Sequence, residues 1–534
     1  MTQRIVVLSG VIGAGKSTLA NGLEKTYGAR VVKTRELLDI EARHRLRILH
    51  TREEYQEFGE LRDIETGGAW VANALAEITR REDRPLFVVD SIRIPSQMSA
   101  TRKEYKYSAF HLHLTALKGD LEERFKKRAS QFQEAPTYAD ARSNATEARV
   151  PNLEAIADAV TNTSRSNEAD VLVRAATHLR LLSRDSVQTV DVIVGGQFGS
   201  EGKGHISSYI SKEYKLLIRG GGPNAGHKVF EEPKAYTHHQ LPSGTRTSKA
   251  DLLVAAGAVI NADKLLREIQ ECQVTPQRLS IDPLSMVISS DDIAAEETLV
   301  RKIGSTGQGV GMATARRIRE RGSSTSLAKD IPSLSPYIRE SGTILERAYQ
   351  NGDKILVEGT QGAGLSLFHG HYPYVTSRDT TVSACLSEAG IPPRRVRKIL
   401  MTCRTYPIRV DNGVEGTSGP LSKEISWEDI SDRSGISIDT LRGAERTSTT
   451  DRQRRVSEFD WVQLRRAAQI NGPTDIALTF ADYLAAANRK ARRFEQLPDE
   501  TIQFIEEVEN VAGASVSLIS TYFGYRSIID RRNW

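Results

Sequence analysis

Short apolar runs alternate with amphipathic stretches along the first third of the chain. The runs "RIVVLSG", "ARVVKTRELL", "PLFVVDSIR" and "SAFHLHLTA" have the residue content of buried strands, whereas "KSTLANGLEKTYG" and "DLEERFKKRASQF" have the pattern of helices. Strands that alternate with helices predict a parallel sheet with helices on both faces. We therefore expect an α/β fold in this part of the chain.

The same alternation starts again after a polar segment, "SRDSVQT" at positions 183–189. The apolar run "VDVIVGG" that follows has the pattern of a new first strand. A chain of 534 residues is also too long for one ordinary domain. We predict two α/β domains, 1–186 and 187–534, each built on a mainly parallel sheet that is flanked by helices.

Composition narrows the classes of function. Hydrophobic residues make up 39% and charged residues 26%, as in soluble globular proteins, and no apolar run reaches the ~20 residues of a membrane span. The three cysteines lack metal-ligand or disulfide spacing, which favours a reducing cytoplasm. The net charge of +5 is small, and no basic patch is interleaved with aromatic residues. We expect small-molecule substrates rather than a nucleic acid or a membrane.

A glycine-rich loop follows the first predicted strand. The segment "GVIGAGKST" fits the P-loop pattern G-x-x-x-x-G-K-[ST], placed between a strand and a helix. Its glycines let backbone N–H groups turn towards phosphate oxygens, Lys16 would reach the β- and γ-phosphates, and Ser17 would hold Mg²⁺. A structural glycine turn is the alternative interpretation. The predicted phosphate-binding residues are Gly10, Gly13, Gly15, Lys16, Ser17 and Thr18.

Polar residues further along this domain could complete a phosphoryl-transfer site. Asp90 ends a predicted strand and could assist Mg²⁺ binding, although a plain strand-end aspartate is the alternative. Arg93, Arg124 and Arg128 could neutralise the transferred phosphate, because phosphoryl transfer depends mainly on charge neutralisation and positioning. For Arg124, a solvated helix face is the alternative interpretation.

The segment up to about residue 185 resembles the small-molecule P-loop kinases, in the group of the deoxynucleoside monophosphate, adenylate and dephospho-coenzyme A kinases. The resemblance implies nucleotide binding and a kinase activity, and it leaves the phosphate acceptor open. Thr34 and Arg35 stand where such kinases often hold the acceptor phosphate.

A second glycine-rich loop, "GGQFGSEGKGH" at 195–205, opens the second domain, and four further motifs follow it. These are "GGGPNAGHKV", "GSTGQGVG", "VEGTQGAGLSLFHGHYPYVTS" and "TTDRQRR". In this order the motifs resemble the signatures of the adenylosuccinate synthetases, over about 190–534. The resemblance implies that a nucleoside triphosphate phosphorylates a purine 6-oxygen, after which the amine of L-aspartate displaces phosphate. It also implies Mg²⁺ and a homodimer.

The resemblance assigns roles to individual residues of these motifs. Lys203 and the loop glycines would hold the triphosphate, His227 would act as general acid, and the carbonyl of Gly226 would contact Mg²⁺. A satisfied loop histidine is the alternative for His227. The triphosphate site comprises Gly199, Gly202, Lys203, Gly204 and Asp482, and the purine-nucleotide site comprises Asn224, Thr306, Gln361 and Thr376.

The co-substrate aspartate carries two carboxylates, and arginine forks bind such groups with two parallel hydrogen bonds. Arg452 and Arg454 match the aspartate-binding arginines of the family, with Thr449 and Thr450 as hydroxyl donors. A solvated basic loop is the alternative interpretation of this segment.

Ser200 departs from the family pattern. Most members have an aspartate there, which removes the N1 proton of the purine and contacts Mg²⁺, and a serine hydroxyl cannot be that base by itself. The phage branch of the family has the serine and joins aspartate to dGMP, whose 2-amino group lies beside N1. Serine is smaller and neutral, and its hydroxyl can accept a hydrogen bond from that group.

A serine at this position leaves the proton acceptor open. Ser200 itself stays a candidate for catalysis and for contact with Mg²⁺. Removal of the N1 proton would fall to Glu201, to a bound water or to the carboxylate of the substrate aspartate. A degenerate, inactive site is the alternative interpretation.

Two other positions differ from the family. Its motif T-K-L-D reads "TFAD" here, so Phe480 replaces a lysine that covers the base of GTP, which favours ATP or dATP and leaves GTP open. The arginine that reaches across the dimer interface of the family falls at Glu320, and either Arg319 or Arg321 would take its place.

Together these observations predict a purine nucleotide:L-aspartate ligase that is fused to a kinase-like domain. The favoured reaction converts GMP or dGMP, L-aspartate and ATP or dATP to 2-amino-(deoxy)adenylosuccinate. We expect it in the cytoplasm, which is that of the host if the protein is encoded by a phage. The alternative is a conventional adenylosuccinate synthetase that uses IMP and GTP and carries a non-catalytic nucleotide-binding module.

Overall fold

The computed structural model describes residues 3–129, 137–139, 148–182, 187–231, 234–322, 325–412, 415–446, 453–524 and 526–532. For residues 52, 128, 129, 231 and 234 it describes the backbone alone. The chain divides into two compact units, Met1–Arg184 and Asp185–Trp534. The boundary predicted at residue 186 falls in a segment outside the described residues.

The N-terminal unit is built on a parallel sheet. Every described pair is parallel, and the strands lie in the order β2-β3-β1-β4-β5. Apolar side chains alternate between the two faces, so that Ile5 and Val7 enter one core and Val6 and Leu8 enter the other. The strands are β1 (Arg4–Ser9), β2 (Arg30–Val32), β3 (Leu86–Val89), β4 (Ala109–Thr115) and β5 (Ala159–Asn162).

Helices pack on both faces of this sheet. They are α1 (Lys16–Tyr27), α2 (Thr34–His44), α3 (Arg52–Thr66), α4 (Trp70–Arg81), α5 (Pro95–Tyr105), α6 (Lys118–Ala129) and α7 (Glu168–His178). The expectation of one strand for "ARVVKTRELL" was wrong, because only β2 is extended and α2 starts at Thr34. Asp90 accepts a hydrogen bond from the backbone N–H of Thr34 (2.9 Å), and Leu37 and Leu38 of this helix enter the core.

The second unit is built on a larger sheet. Its described strands lie in the order β12-β10-β7-β14-β6-β15-β19-β20-β21, and only β20 and β21 among them pair antiparallel. The strands of this unit are β6 (Val190–Gly195), β7 (Leu216–Arg219), β8 (His227–Glu231), β9 (Lys234–His238), β10 (Asp251–Val254), β11 (Val259–Ile260), β12 (Leu279–Ile281), β13 (Met286–Val287), β14 (Ile355–Glu358), β15 (Val396–Arg404), β16 (Ile408–Arg409), β17 (Glu424–Ile425), β18 (Arg455–Ser457), β19 (Asp475–Thr479), β20 (Ser515–Ser520) and β21 (Ile528–Asp530).

Helices cover both faces of the larger sheet as well. They are α8 (Lys203–Ile210), α9 (Ala262–Glu271), α10 (Ser290–Ala295), α11 (Glu297–Ile303), α12 (Val310–Glu320), α13 (Ser341–Asn351), α14 (Val382–Ala389), α15 (Trp427–Ser434), α16 (Ile438–Ala444), α17 (Trp461–Asn471) and α18 (Asp499–Ala512). Across the residues that the structure describes, none of the helices combines the length and apolar character that crossing a membrane requires. The predicted α/β class, with mainly parallel sheets flanked by helices, is confirmed.

The strand order places several chemically important strand ends at one edge of the larger sheet. Strands β7, β14, β6, β15 and β19 are consecutive neighbours and run parallel, so their carboxyl ends meet there. In open α/β sheets, ligands bind outside the carboxyl ends of the strands. The strands end here in Arg219, Glu358, Gly195, Arg404 and Thr479.

Candidate active site

The second glycine-rich loop joins β6 to α8 at this edge. Gly199 and Gly202 have φ angles of 94° and 84°, in the left-handed region that favours glycine. Ser200 between them also has a positive φ, 53°, and its side chain is exposed. The loop therefore presents the Ser200 hydroxyl to the cavity that this residue lines.

Glu201 stabilises this loop from within. Its carboxylate is fully buried, accepts hydrogen bonds from the N–H groups of Gln197 (3.2 Å) and Gly199 (2.8 Å), and pairs with Lys203. The hydroxyl of Thr479, at the end of β19, donates to the Glu201 carbonyl (2.6 Å). Both carboxylate oxygens of Glu201 are thus engaged inside the loop, and the Lys203 amine is held at the start of α8.

His227 begins β8 and contacts a buried carboxylate. Its Nδ1 donates to Glu358 at the end of β14, and both the hydroxyl and the backbone N–H of Ser243 donate to the same carboxylate, the latter at 2.7 Å. Because Nδ1 is engaged, Nε2 is the ring nitrogen left to face the cavity that His227 lines.

The environment keeps the His227 imidazole neutral and the Glu358 carboxylate ionised. Burial lowers the pKa of His227 to about 4, and the positive charge of Arg219 contributes in the same direction. Burial alone would raise the pKa of Glu358, but its hydrogen bond with His227 and the charge of Arg219 outweigh burial and lower it to about 2. The result is an ionised carboxylate behind a neutral imidazole, an arrangement that stabilises the imidazole once it takes up a proton.

Arg219 lies beside Glu358 because β7 and β14 pair in register. It is buried, donates to the carbonyls of Leu241 (3.1 Å) and Ala225 (2.8 Å), and lies 3.5 Å from the Glu358 carboxylate. The bond to Ala225 fixes the turn that precedes His227. Neither Arg219 nor Glu358 was singled out from the sequence, although each is a charged residue at the carboxyl end of an apolar strand, in "LLIR" and "ILVE".

The loops at this edge surround a cavity of about 790 Å³, a volume typical of small-molecule sites. Thr376 is linked to it through Gln361, whose side-chain amide donates to the Thr376 hydroxyl (2.7 Å). Thr449, Thr450 and Arg452 lie outside the described residues. The cavity brings together the other candidates of this unit, which are Gly199, Ser200, Glu201, Gly202, Lys203, Gly204, Asn224, Gly226, His227, Thr306, Gln361, Arg454 and Asp482.

Part of the cavity wall can receive a planar base. Phe480 and Phe523 line it, and the Phe480 ring lies against the guanidinium of Arg404 (3.9 Å). Asp482 accepts a hydrogen bond from Arg489 (3.0 Å) through Oδ2, while Oδ1 is buried with no hydrogen-bond partner among the described residues. Burial raises the pKa of Asp482 to about 6, and Arg489 opposes this effect. The wall thus combines aromatic faces with a buried carboxylate.

Known proteins are similar to this unit in sequence and in fold. The family model described as "Adenylosuccinate synthetase" matches residues 192–331 and 323–489, which is more than half of the chain. The chain belongs to the adenylosuccinate synthetase family. The enzyme of Pyrococcus horikoshii is 37% identical over 350 residues, which is 64% of this chain and 98% of the relative. That of Methanocaldococcus jannaschii is 35% identical over 353 residues, 65% of this chain and 97% of the relative.

Two solved structures extend the comparison. The fully ligated adenylosuccinate synthetase of Plasmodium falciparum shares the fold, with a TM-score of 0.57 at 20% identity, over 64% of this chain and all of that one. The succinoaminodeoxyadenylate synthetase of cyanophage S-2L, bound to dGMP and to dATP as an energy donor, has a TM-score of 0.54 at 27% identity. It covers 65% of this chain and 96% of its own. The second unit is an adenylosuccinate synthetase-like carbon–nitrogen ligase, of a family that acts on small-molecule nucleotides.

The arginines expected at a synthetase dimer interface lie away from the cavity lining. Arg319 is 77% exposed and donates to Glu320 (3.0 Å), while Arg321 follows α12 with a φ of 45°. Contact of either arginine with a partner subunit stays a prediction.

In the N-terminal unit, the first glycine-rich loop joins β1 to α1. Lys16 donates to the carbonyls of Gly10 and Val11 (the latter at 3.2 Å), and Ser17 and Thr18 are exposed in the first turn of α1. Such a loop at a helix N-terminus suits phosphate binding. All three predicted loop glycines have positive φ angles: 141° at Gly10, 83° at Gly13 and 95° at Gly15.

Asp90 contacts the first residue of α2, and Arg124 contacts the glycine-rich loop. Asp90 accepts from the hydroxyl of Thr34 (3.0 Å) as well as from its N–H. Arg124 is half-buried and donates to the carbonyl of Gly13 (3.3 Å) and to the hydroxyl of Thr163 (2.9 Å), so it braces the loop rather than facing solvent alone.

The remaining candidates of the N-terminal unit are less closely tied to the loop. Arg93 donates through its backbone N–H to Gln97 (2.9 Å), and the guanidinium of Arg35 lies over the ring of Tyr55 (4.4 Å). The side chain of Arg128 lies outside the description. Their roles in phosphate transfer stay predictions.

Acid is expected to destabilise the synthetase unit through two buried carboxylates. The pKa values of Glu358 and Glu445 are lowered to about 2, in Glu445 because the charges of Arg404 and Arg454 outweigh burial. Their stabilising contribution is complete above the ordinary glutamate pKa of about 4.3 and is lost as the pH falls towards 2, at roughly 3 kcal/mol for each. Urea unfolding between pH 6 and pH 3 would measure the part of this loss that falls above pH 3, roughly 2 kcal/mol for each carboxylate.

The variant E445Q provides the control for that measurement. It lacks one of the two carboxylates, so its free energy of unfolding should depend less steeply on pH below 5 than that of the wild type. Equal dependence in both proteins would contradict this assignment.

Proposed function

We propose that the synthetase unit joins L-aspartate to GMP or dGMP, with ATP or dATP as the phosphate donor, for the synthesis of 2-aminoadenine nucleotides. The triphosphate phosphorylates the purine 6-oxygen, and the aspartate amine then forms a bond to C6 as phosphate leaves. The product is 2-amino-(deoxy)adenylosuccinate, formed together with a nucleoside diphosphate and phosphate. GTP is the alternative donor.

Ser200 is the observation that carries this proposal. Ser200 lies in the loop between Gly199 and Gly202, is exposed and lines the cavity, at the position where most family members have an aspartate. A 2-amino group beside purine N1 needs space and a hydrogen-bond acceptor. Serine leaves that space because it is smaller than aspartate, and its hydroxyl oxygen can accept the hydrogen bond. IMP has hydrogen in place of that amino group, so the replacement of aspartate by serine offers IMP no additional hydrogen bond. The similarity to the cyanophage enzyme, whose structure contains dGMP and dATP, supports the same substrate class.

The proton at N1 must go to another group when Ser200 replaces the aspartate. Glu201 is poorly placed for this task, because Gln197, Gly199 and Lys203 engage its buried carboxylate. We favour a water held at Ser200 or the carboxylate of the bound aspartate as the acceptor.

His227 suits the role of general acid. Its Nε2 faces the cavity, and Glu358 behind it is ionised. A bound triphosphate would bring negative charge close to the ring and favour its protonated form. His227 could then donate to the purine 6-oxygen or the phosphate oxygen on which charge develops.

Adenylosuccinate synthetases depend on Mg²⁺. Mg²⁺ prefers oxygen ligands and usually combines one or two protein ligands with waters and substrate phosphates. The Gly226 carbonyl and the Ser200 hydroxyl, both of cavity-lining residues, fit this requirement and would hold the ion. When bound, Mg²⁺ would neutralise charge on the triphosphate.

The test is to incubate the protein with L-aspartate and GMP, dGMP or IMP, each combined with ATP, dATP or GTP. The proposal expects formation of a succino-purine nucleotide with GMP or dGMP and slow or undetectable conversion of IMP. Turnover of IMP with GTP alone would show a conventional adenylosuccinate synthetase instead.

We also propose that the N-terminal unit transfers phosphate from ATP to a nucleoside monophosphate. Lys16→Ala is expected to lower that activity by at least about 100-fold, because it removes the charge that reaches the transferred phosphate. Ligase activity should stay within about twofold of the wild type, since Lys16 lies in the other unit. Phosphate transfer to a panel of dNMPs and succino-nucleotide formation would both be measured.

Lys203→Ala is the matched control in the second loop, and it should abolish the ligase while leaving the kinase. If the wild type bound ATP but phosphorylated none of the monophosphates, the N-terminal unit would be a nucleotide-sensing module rather than an enzyme.

A further inference from the structure

A buried charge cluster contacts Arg454, near the carboxyl end of the motif "TTDRQRR". Glu445 follows α16, is 1% exposed, and accepts from Arg404 (2.7 Å), Arg454 (2.9 Å) and Tyr483 (2.8 Å). The Glu445 carbonyl also accepts from the backbone N–H of Arg454 (3.2 Å) and from the side chain of Gln453 (3.1 Å). The main chain and the side chain of Glu445 therefore both hold residues Gln453 and Arg454 in place.

This cluster is attached to the phosphate loop. Arg404 ends β15, is fully buried, and donates to the carbonyl of Ser200 (3.3 Å) as well as to Glu445. Its guanidinium stacks on Phe480, which leaves it little freedom to move. The Glu445 carboxylate thus has a fixed position relative to Ser200, the residue that faces the purine in the proposed reaction.

The geometry of Arg454 shows what this anchoring achieves. Its NH1 donates to Glu445, and its other N–H groups donate to none of the described residues, so they remain for a ligand in the cavity that Arg454 lines. An arginine binds a carboxylate well only when its planar fork has the right orientation. Because two guanidinium groups share one carboxylate, the cluster also keeps a positive charge that attracts an anionic substrate.

We propose that Glu445 is a positioning residue of the ligase, which orients Arg454 so that its guanidinium receives a carboxylate of the substrate aspartate. The proposal rests on the assignment of Arg454 to the aspartate site. Glu445 makes no bond to substrate and acts through Arg454.

A double-mutant cycle tests this role. E445Q keeps the shape of the side chain but removes its charge, and it should lower kcat/KM for aspartate by about tenfold to hundredfold, the range expected for charge-assisted hydrogen bonds. The KM values for the purine nucleotide and the triphosphate should change less than threefold. In an R454A background, E445Q should have almost no further effect on kcat/KM for aspartate, because the residue through which it acts is missing.

The cycle separates positioning from a general structural effect. If E445Q lowered kcat/KM by the same factor with and without Arg454, or raised all three KM values together, the proposal would be overturned. E445D retains the charge, is expected to fold if E445Q does not, and should show a smaller loss that also disappears in R454A. Aspartate affinity, measured by calorimetry with the purine nucleotide bound, should follow the same pattern.

E424Q is a matched control. Glu424 pairs with the next arginine along the chain, Arg455, and it is half exposed and outside the cavity lining. Its loss should leave kcat/KM for aspartate within twofold. The cycle uses whichever purine monophosphate the wild type converts, so turnover of IMP would contradict the proposed nucleotide substrate without affecting this test.

Discussion

Replacement of Ser200 by aspartate is expected to turn the synthetase from dGMP towards IMP. The new carboxylate would supply the base that the family uses at N1, and a positioned base contributes about 10²–10⁴-fold in rate. It would also take the space of the 2-amino group. We expect kcat/KM to rise at least about 100-fold for IMP and to fall at least about tenfold for dGMP, as measured from initial rates with saturating aspartate and triphosphate.

The backbone at this position should accept the change, because aspartate tolerates the left-handed conformation that Ser200 adopts (φ 53°) better than most residues. Ser200→Ala is the matched control. It keeps the space but removes the acceptor, so it should weaken dGMP turnover without creating activity on IMP. An S200D enzyme that still preferred dGMP would contradict the role assigned to Ser200.

Replacement of His227 is expected to lower the turnover number of the ligase strongly. His227→Ala removes the cavity-facing imidazole and should lower kcat by about 10²–10⁴-fold, with KM values changed only a few-fold, because the general acid acts mainly in the transition state. Glu358→Gln should lower kcat less, since the imidazole stays but loses the ionised partner that stabilises its protonated form. Initial rates with each substrate varied in turn would separate kcat from KM.

The control for this prediction is a histidine outside the site. His178, in α7 of the N-terminal unit, contacts the ring of Phe110, and His178→Ala should leave ligase kcat unchanged. If H227A changed KM for the purine nucleotide as strongly as it changed kcat, His227 would act in substrate binding rather than as an acid.

The sequence predicted much of the fold because its signals are local. Glycine spacing located both glycine-rich loops, and apolar runs located β1, β3 and β4 of the first sheet and β6, the first strand of the larger one. "ARVVKTRELL" was the exception. Only "RVV" forms a strand, and the residues from Thr34 onward, which were predicted to continue it, form a helix. A contact far along the chain, between Asp90 and the N–H of Thr34, marks where that helix begins.

The charged network behind the site could not be predicted in the same way. Glu358 and Arg219 meet only because β7 and β14, separated by more than 100 residues, are neighbours in register. Arg404 and Glu445 come together through the same tertiary fold, and neither stands in a motif that names its partner. Glu201 shows the converse, because its position in the loop suggested a base and the structure engages its carboxylate within the loop.

A crystal structure with dGMP, L-aspartate and a non-hydrolysable ATP analogue would test the central claim most directly. The account predicts that the 2-amino nitrogen lies about 3 Å from the Ser200 hydroxyl oxygen, within hydrogen-bond distance. A purine bound with its 2-amino group turned away from Ser200, or with N1 against a released Glu201 carboxylate, would contradict it.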